Sequence, residues 1–502
     1  MNVDTFLKDY GHFFKKPLQE MCVMSILKKK LKTLRYTPYQ KWLGANALVG
    51  GGRRGLELLR RVGEFPSQST VLRTLRKFKT QPGISSKNTD LMRMKSNPDI
   101  KGNRFVFILI DEMSLRLNLD YDQSSGTISG FVDMGESERT NKIASSALCV
   151  MVVGVITRWK FPLGYFFTES VMKHSKIVSV IQTAIKITED AGYCVLGITS
   201  DQGSNFEHSF SLLGSTCENP TFDMDGKRYF IYRDPPHLLK NARNLLAKKK
   251  FDIKVPGFGS TVRAKWEHIE KLHERDERNS LKLAPKIKGR HIYNLKFATS
   301  MKVKLAANIL SHSVSAALDY MVAENEIDSE AMATSQYCLR MNNIFDILNS
   351  RSSKDKVWRR RPLQPDSKSS DYLKESLPWL RDLQELNSER RCSFIKGFIQ
   401  SINVALALSE KMSLLGYRYL SLRNICQDPL ELFFGKIRGV SKFTTASDFS
   451  TSFGRLSVAS LIRPPKTGNC EENEDEVSRN QDETVNFMEH VSEFYFQHLY
   501  KL

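Results

Sequence analysis

Eight cysteines are spread over 502 residues: Cys22, Cys149, Cys194, Cys217, Cys338, Cys392, Cys426 and Cys470. No two form a Cys-x-x-Cys pair, so there is no zinc-finger spacing and no disulfide framework, and a reducing compartment fits. Those inside apolar runs, such as Cys149 in ALCVMVVGV, read as small buried hydrophobes. Long apolar runs are also missing. The longest, Ala147 to Thr157, falls well short of the roughly 20 residues a helix needs to cross a bilayer. Charges break every apolar run of the opening MNVDTFLKDYGHFFKK, so that stretch is not expected to act as a signal peptide. No GxxxxGK[ST] loop occurs, so nucleotide binding of the P-loop kind is excluded. There is no internal repeat. The expectation is a soluble, intracellular protein.

What the chain does have is positive charge. Lys and Arg number 75 against 55 Asp and Glu, a formal +20. That excess points to a polyanion as partner, with nucleic acid first, although a highly charged surface kept for solubility would look the same. Residues 1–80 hold 17 Lys and Arg and only 5 Asp and Glu, so the basic bias is concentrated there. Hydrophobic residues make up 41%, enough to bury real cores, and the length predicts two to four domains.

Residues 1–45 read as a basic helical segment carrying Lys28-Lys29-Lys30. Residues 46–80 read as helix, turn, helix. Leu56, Leu58, Leu59 and Val62 recur at helical spacing, Phe65-Pro66 breaks the pattern, and Ser67 can cap a second helix. That second helix carries Val71, Leu72 and Leu75 on one face and turns Arg73, Arg76, Lys77 and Lys79 outward. The pattern fits a helix-turn-helix DNA-binding region and equally an ordinary helical hairpin. Residues 81–102 read as a linker.

From 103 to 248 the texture is that of a mixed α/β domain. FVFILID and CVLGITSD are continuous apolar runs that each end in an acid, the mark of buried strands with a polar tip. GTISGFVDMG, ALCVMVVGVI and FPLGYFF read as further strands, and SKIVSVIQTAIKITEDAG as an amphipathic helix stopped at Gly192. The expected order is β-β-β-α-β-(β)-α. Residues 249–422 lose the strand signal and read as a separate helical module, interrupted by a mobile basic loop, RSSKDKVWRRRPLQPDSKSSD. Residues 423–455 return to the α/β domain, and 456–502 read as an acidic tail ending in a short helix.

Two acids at the tips of neighbouring buried strands can converge at a sheet edge, where like charges repel unless a cation sits between them. Asp111 and Asp201 are those acids, and hard oxygen ligands of this kind suit magnesium. Two such ions can assist in-line displacement at a phosphodiester. Each acid could instead cap a turn, Asp201 in particular through Asp-Gln-Gly. A third acid, Glu431, lies in NICQDPLELFFGKIRGVSKF, where Asp428-Pro429 opens a helix and Leu430, Leu432, Phe433, Phe434 and Ile437 are expected to pack inward. Glu431 could sit beside that seam, or be a first-turn acid favoured by the helix dipole.

Six stretches together resemble the P-element transposase family, which includes THAP-domain transposase-like proteins. They are ILIDEMSL (108–115), GITSDQGSN (197–205), DPPHLLKNARN (234–244), MKVKLAANILSHSVSAAL (301–318), NIFDILNSR (343–351) and QDPLELFFGKIR (427–438), and they occur in the family's order. The resemblance runs from about 55 to 445. It implies an α/β RNase H-like catalytic domain interrupted by a large all-α insertion and preceded by a small helical region. It also implies metal-binding catalytic acids at Asp111, Asp201 and Glu431, Mg²⁺-dependent cleavage and strand transfer of transposon DNA, a homo-oligomer, and a nuclear location. The family's insertion binds GTP as an assembly cofactor. The matching positions are Phe345 to stack on guanine, Asp346 to accept its N–H groups, Val303 for the other face, Lys302 for a phosphate, and Asp428 as a further contact. Phe345 and Asp346 would otherwise be a core aromatic beside a capping acid.

One departure is plain. The family's zinc-binding THAP domain needs a C2CH ligand set, and none is present here. A DDE-type transposase is thus the first expectation. The alternative is a non-catalytic, transposase-derived DNA-binding protein that holds DNA mainly through phosphates. An RNA-processing nuclease with an RNase H-like core leaves the 301–351 blocks unexplained.

Overall fold

The computed structural model describes residues 36, 38–62, 65–76, 80–85, 87–123, 126–135, 138–169, 172–248, 253–257, 263–293, 302–385, 392–441 and 443–462. Residues 1–35 with their lysine run, Lys77, Lys79, and the acidic tail from 463 lie outside the described residues.

The sheet grows from β2 (Phe105–Ser114), whose residues alternate between two cores. Phe107 and Leu109 enter one apolar cluster, while Val106, Ile108 and Ile110 enter the other, as the period of two dictates for a strand covered on both faces. β7 (Ser146–Gly154), buried along its whole length, pairs antiparallel with β2, and β8 (Lys160–Thr168) pairs antiparallel with β7. On the other side β9 (Cys194–Ser200) and then β11 (Lys227–Arg233) run parallel to β2. With β5 (Phe131–Asp133), β6 (Arg139–Ile143) and β10 (Thr221–Met224) the order is β10-β11-β9-β2-β7-β8-β5-β6. The first three long strands and the following helix appear in the expected order. The hairpin arm expected in GTISGFVDMG is there as β4 (Thr127–Ser129), paired with β3 (Asp120–Asp122); β3 itself and a helix after β9 at Ser204–Leu212 were not foreseen.

One face of the sheet is covered by the helix His174–Asp190, called α4 below, and by Ser204–Leu212, called α5. The backbone leaves α4 through Gly192 at φ +93°, a left-handed conformation that favours glycine.

The N-terminal helices are α1 (Pro38–Val62) and α2 (Gln68–Arg76). α1 is continuous across residue 45, so the expected boundary there falls inside a helix. Ser67 accepts the Thr70 N–H as the sequence suggested, and Leu56 and Val71 pack together. Leu58 is 61% exposed and does not join that seam. Residues 81–102, expected as a linker, are instead built into the fold. β1 (Gly83–Ile84) pairs with β8, and α3 (Lys87–Lys95) buries Met92 against the sheet. The run of Pro, Gly and Ser hid a two-residue strand and a nine-residue helix.

The second face carries α6 (Pro235–Leu246) and the insertion. The insertion contains α7 (Trp266–Arg278), α8 (Gly289–Ile292), α9 (Val303–Ile309), α10 (His312–Ala323), α11 (Ala331–Leu348), α12 (Lys368–Asp382) and α13 (Ser393–Leu414). It is not wholly helical. β12 (Ile253–Lys254), β13 (Arg263–Ala264) and β14 (Gln384–Glu385) form a small antiparallel sheet, whose two-residue strands leave no period to read. Nor is it a separate module, because its helices and one face of the main sheet share one continuous apolar cluster. Tyr232 of β11 donates to the Leu348 carbonyl of α11, and Tyr337 donates back to Ala242 of α6.

The stretch 351–371, expected as a mobile loop, is pinned near its middle. Arg360 in a 3-10 turn pairs with Asp346, and Leu363 bridges to Leu420. The chain then returns through α14 (Asp428–Val440) and α15 (Ala446–Ile462), which packs against β8, α1 and α14. The six described cysteines are free, with Cys149 fully buried. No helix among the described residues is long and apolar enough to cross a membrane.

Candidate active site

β2 and β9 place two acids at one level. Leu109 is the register partner of Thr199; two residues on in each chain direction stand Asp111, within β2, and Asp201, the first residue past the end of β9. Burial raises the Asp111 carboxyl to about 7, and the facing charge of Asp201 adds to the shift. Asp111 Oδ1 accepts the N–H of Glu112 at 2.8 Å. Asp201 Oδ1 accepts the N–H of Gly203 at 2.9 Å, so the turn weighed from the sequence is present together with the convergence. The loop is held from behind by Arg233, which is 2% exposed. Its Nη1 donates to the Asp201 carbonyl at 2.8 Å and to Ser200 Oγ at 2.9 Å.

The first turn of α14 brings Glu431 to the same edge, where it adds a smaller push on Asp111. Its side chain is 44% exposed, and its Oε1 lies 3.5 Å from His237 Nε2. Partial burial raises the Glu431 carboxyl and His237 opposes the rise. Leu430, Phe433, Phe434 and Ile437 pack inward as expected, but Leu432 is 63% exposed. The three consecutive apolar residues span more of the helix than its buried face.

Sequence reasoning missed the groups behind Glu431. Asp234 caps α6, accepting the His237 N–H at 3.2 Å, and its Oδ2 also meets His237 Nδ1 at 2.8 Å. Burial works hardest against charge on that imidazole, but the hydrogen bond to Asp234 and the charges of Asp234 and Glu431 together outweigh it and lift His237 to about 9. The Asp-Pro-Pro-His spelling signals a capped helix start, and nothing in it announces the second contact. Glu112, one residue past Asp111 and on the opposite face of the strand, is raised to about 7 by burial.

Among the described residues, no three His, Cys, Asp or Glu side chains stand close enough to hold an ion as placed. The donor chemistry nonetheless suits a divalent cation. Asp111 and Asp201 are hard oxygen donors at one partly buried edge, and the Asp111 carboxyl is raised first by burial and then by the Asp201 charge, both of which a cation there would offset.

The nucleotide candidates are more dispersed. Lys302 caps α9, with Val303 beginning it, while Phe345 and Asp346 lie near the end of α11. Asp346 is buried, and its Oδ2 is taken by Arg360 Nε at 3.0 Å and Asn342 Nδ2 at 3.4 Å. Asp428 opens α14 and pairs with Arg423 at 2.7 Å. Among the described residues no hydrogen bond or ion pair joins Lys302 or Val303 to Phe345, Asp346 or Asp428.

An antiparallel β2-β7-β8 meander continued on its other side by the parallel strands β9 and β11, with acids at the ends of the adjoining parallel pair, is the sheet of an RNase H-like domain. Residues 80–214 match the "TNP-like, RNase H N-terminal domain" family, and residues 236–361 match the "TNP-like, GTP-binding insertion domain" family. The chain is 26% identical over 433 residues to human DNA transposase THAP9, covering 80% of this chain and 46% of that protein. It is 24% identical over 388 residues to the transposable element P transposase of Drosophila melanogaster, covering 74% of this chain and 47% of that one. The Drosophila P element transposase strand transfer complex superposes with a TM-score of 0.74 at 20% identity, over 93% of this chain and 99% of that one. The chain belongs to the P-element-type transposase family. It spans about half the length of the curated relatives it matches.

Proposed function

We propose that this chain is the catalytic body of a DDE-type DNA transposase that cleaves and joins DNA strands in the nucleus, with Asp111, Asp201 and Glu431 holding Mg²⁺. The observation that carries the reading is Asp111 near the end of β2 and Asp201 just past the end of the parallel β9, with the Glu431 helix at the same edge. A divalent ion bound there would polarise the phosphate and activate the attacking oxygen. The chain's own residues supply the frame. Gly203 fixes Asp201 Oδ1, Arg233 fixes the loop that bears it, and His237, charged at neutral pH, orients Glu431. DNA is held in multimeric assembly, with affinity drawn largely from phosphate contacts of a chain carrying +20. GTP binds in the insertion at Phe345, Asp346, Lys302 and Val303, with Asp428 of α14 as a further contact, and supports assembly. The match of residues 236–361 to a GTP-binding insertion domain family supports that reading.

The test is strand transfer and nicking of plasmid DNA in Mg²⁺, with and without GTP, for wild type and Asp201→Asn. Loss of both reactions in the variant, with non-specific DNA binding retained, upholds the assignment. Processing that persists in Asp201→Asn removes the metal site. A folded wild type that binds DNA and never cuts it makes the DNA-binding reading the better one.

A further inference from the structure

The three acids come from distant parts of the chain, since Asp201 and Glu431 are separated by the whole insertion. Something must set α14 against β2 and β9 to a fraction of an ångström, and one buried pair touches all three elements. Asp234 is 1% exposed on its side chain. Its N–H donates to the Ser200 carbonyl at 3.2 Å, beside Asp201. Its Oδ1 accepts the N–H of Gln427 at 2.8 Å, at the foot of the Glu431 helix, and its Oδ2 holds His237, which faces Glu431. Gln427 is fully buried, and its Nε2 donates to the Ile110 carbonyl at 2.8 Å, beside Asp111. A helix cap needs only the His237 N–H, so the remaining contacts exceed what capping explains.

Gln427 is also an expensive choice for a fully buried position. Among the described residues its Oε1 has no hydrogen-bond partner, and burying an unpaired amide oxygen opposes folding. A thioether of similar volume would fill the space without that cost. We infer that Asp234 and Gln427 are positioning residues that fix Glu431 relative to Asp111 and Asp201, a role that rests on the function proposed above. Asp234 ties the β9 and α6 side to α14, and Gln427 ties α14 to β2. Neither touches the reacting groups.

The test compares wild type with Gln427→Met, with Asp234→Asn as a second variant and Asp111→Asn as the inactive control. Four readouts are taken: apparent unfolding temperature, DNA affinity without metal, nicking rate against Mn²⁺ concentration, and amide hydrogen exchange over residues 428–434. For Gln427→Met, unfolding temperature and DNA affinity hold. The Mn²⁺ concentration for half-maximal nicking rises by about tenfold or more, as for supports of metal ligands elsewhere, and excess metal restores part of the rate. Exchange in the first turn of α14 quickens. A Mn²⁺ curve and exchange pattern equal to wild type overturn the inference, as does a rate that falls only in step with lost folded protein. If wild type never nicks DNA, the proposed function fails. Hydrogen exchange then decides the brace alone: faster exchange upholds it and unchanged exchange removes it.

Discussion

Replacing Asp111 by Asn should stabilise the metal-free protein, and more at pH 8 than at pH 5. Burial and the neighbouring Asp201 charge lift the Asp111 carboxyl to about 7 from an ordinary 3.8. A carboxyl that holds its proton more tightly folded than unfolded makes stability fall as pH rises through that interval, and the loss is complete above the folded value. The interval is about 3 units at about 1.4 kcal/mol each, so the ionised carboxylate costs the fold roughly 4 kcal/mol at pH 8 and roughly 2 kcal/mol at pH 5. Asn keeps the shape and can still accept the Glu112 N–H through its side-chain oxygen. The assay is the apparent unfolding temperature in EDTA at the two pH values. Asp111→Asn should melt several degrees higher at pH 8, with a smaller gain at pH 5. Added Mn²⁺ should raise the wild type and leave the variant nearly unmoved. A variant that melts no higher than wild type at pH 8, or gains equally at both pH values, refutes the reasoning.

Gly197→Ala should lower both unfolding temperature and soluble yield. Its Cβ would meet the Phe230 carbonyl at 2.4 Å and the Phe107 ring at 2.9 Å, and overpacking of this kind costs about 1–3 kcal/mol or more. Phe345→Ala should weaken a fluorescent GTP analogue by about tenfold, the scale of one lost stacking contact. Arg360→Ala, which frees the Asp346 carboxylate, should not weaken it; equal losses in both would point to a structural effect. Affinity for duplex DNA of unrelated sequence should fall steeply between low and physiological salt in a gel-shift titration, and a flat response would contradict phosphate-led binding.

The strands carrying Asp111 and Asp201 were legible because a sheet covered on both faces writes its inner strands as unbroken apolar runs. The acids stood out as the residues that end those runs. Glu431 was harder to read, since an acid in a helix's first turn has a common electrostatic explanation. Only the resemblance raised it. Asp234, His237 and Gln427 could not be read from spacing at all, because Gln427 meets Asp234 and Ile110 across long stretches of chain. The sharing of one core between insertion and sheet escaped for the same reason: helical period identifies a buried face and not its partner. At 81–102 composition misled, because Pro, Gly and Ser mark breaks whether or not the pieces between them pack. Leu58 and Leu432 failed through helical phase, each being one apolar residue more than its buried stripe can hold.

The central claim is that Asp111 and Asp201 share a divalent ion with Glu431 in reach. An anomalous difference map from crystals grown with DNA and Mn²⁺ tests it most directly. The account predicts a strong peak between the Asp111 and Asp201 carboxylates, roughly 2 Å from their oxygens, with Glu431 turned toward it and the peak absent in Asp201→Asn. Density for bound DNA without a peak at that edge, or a peak unchanged in Asp201→Asn, would contradict it.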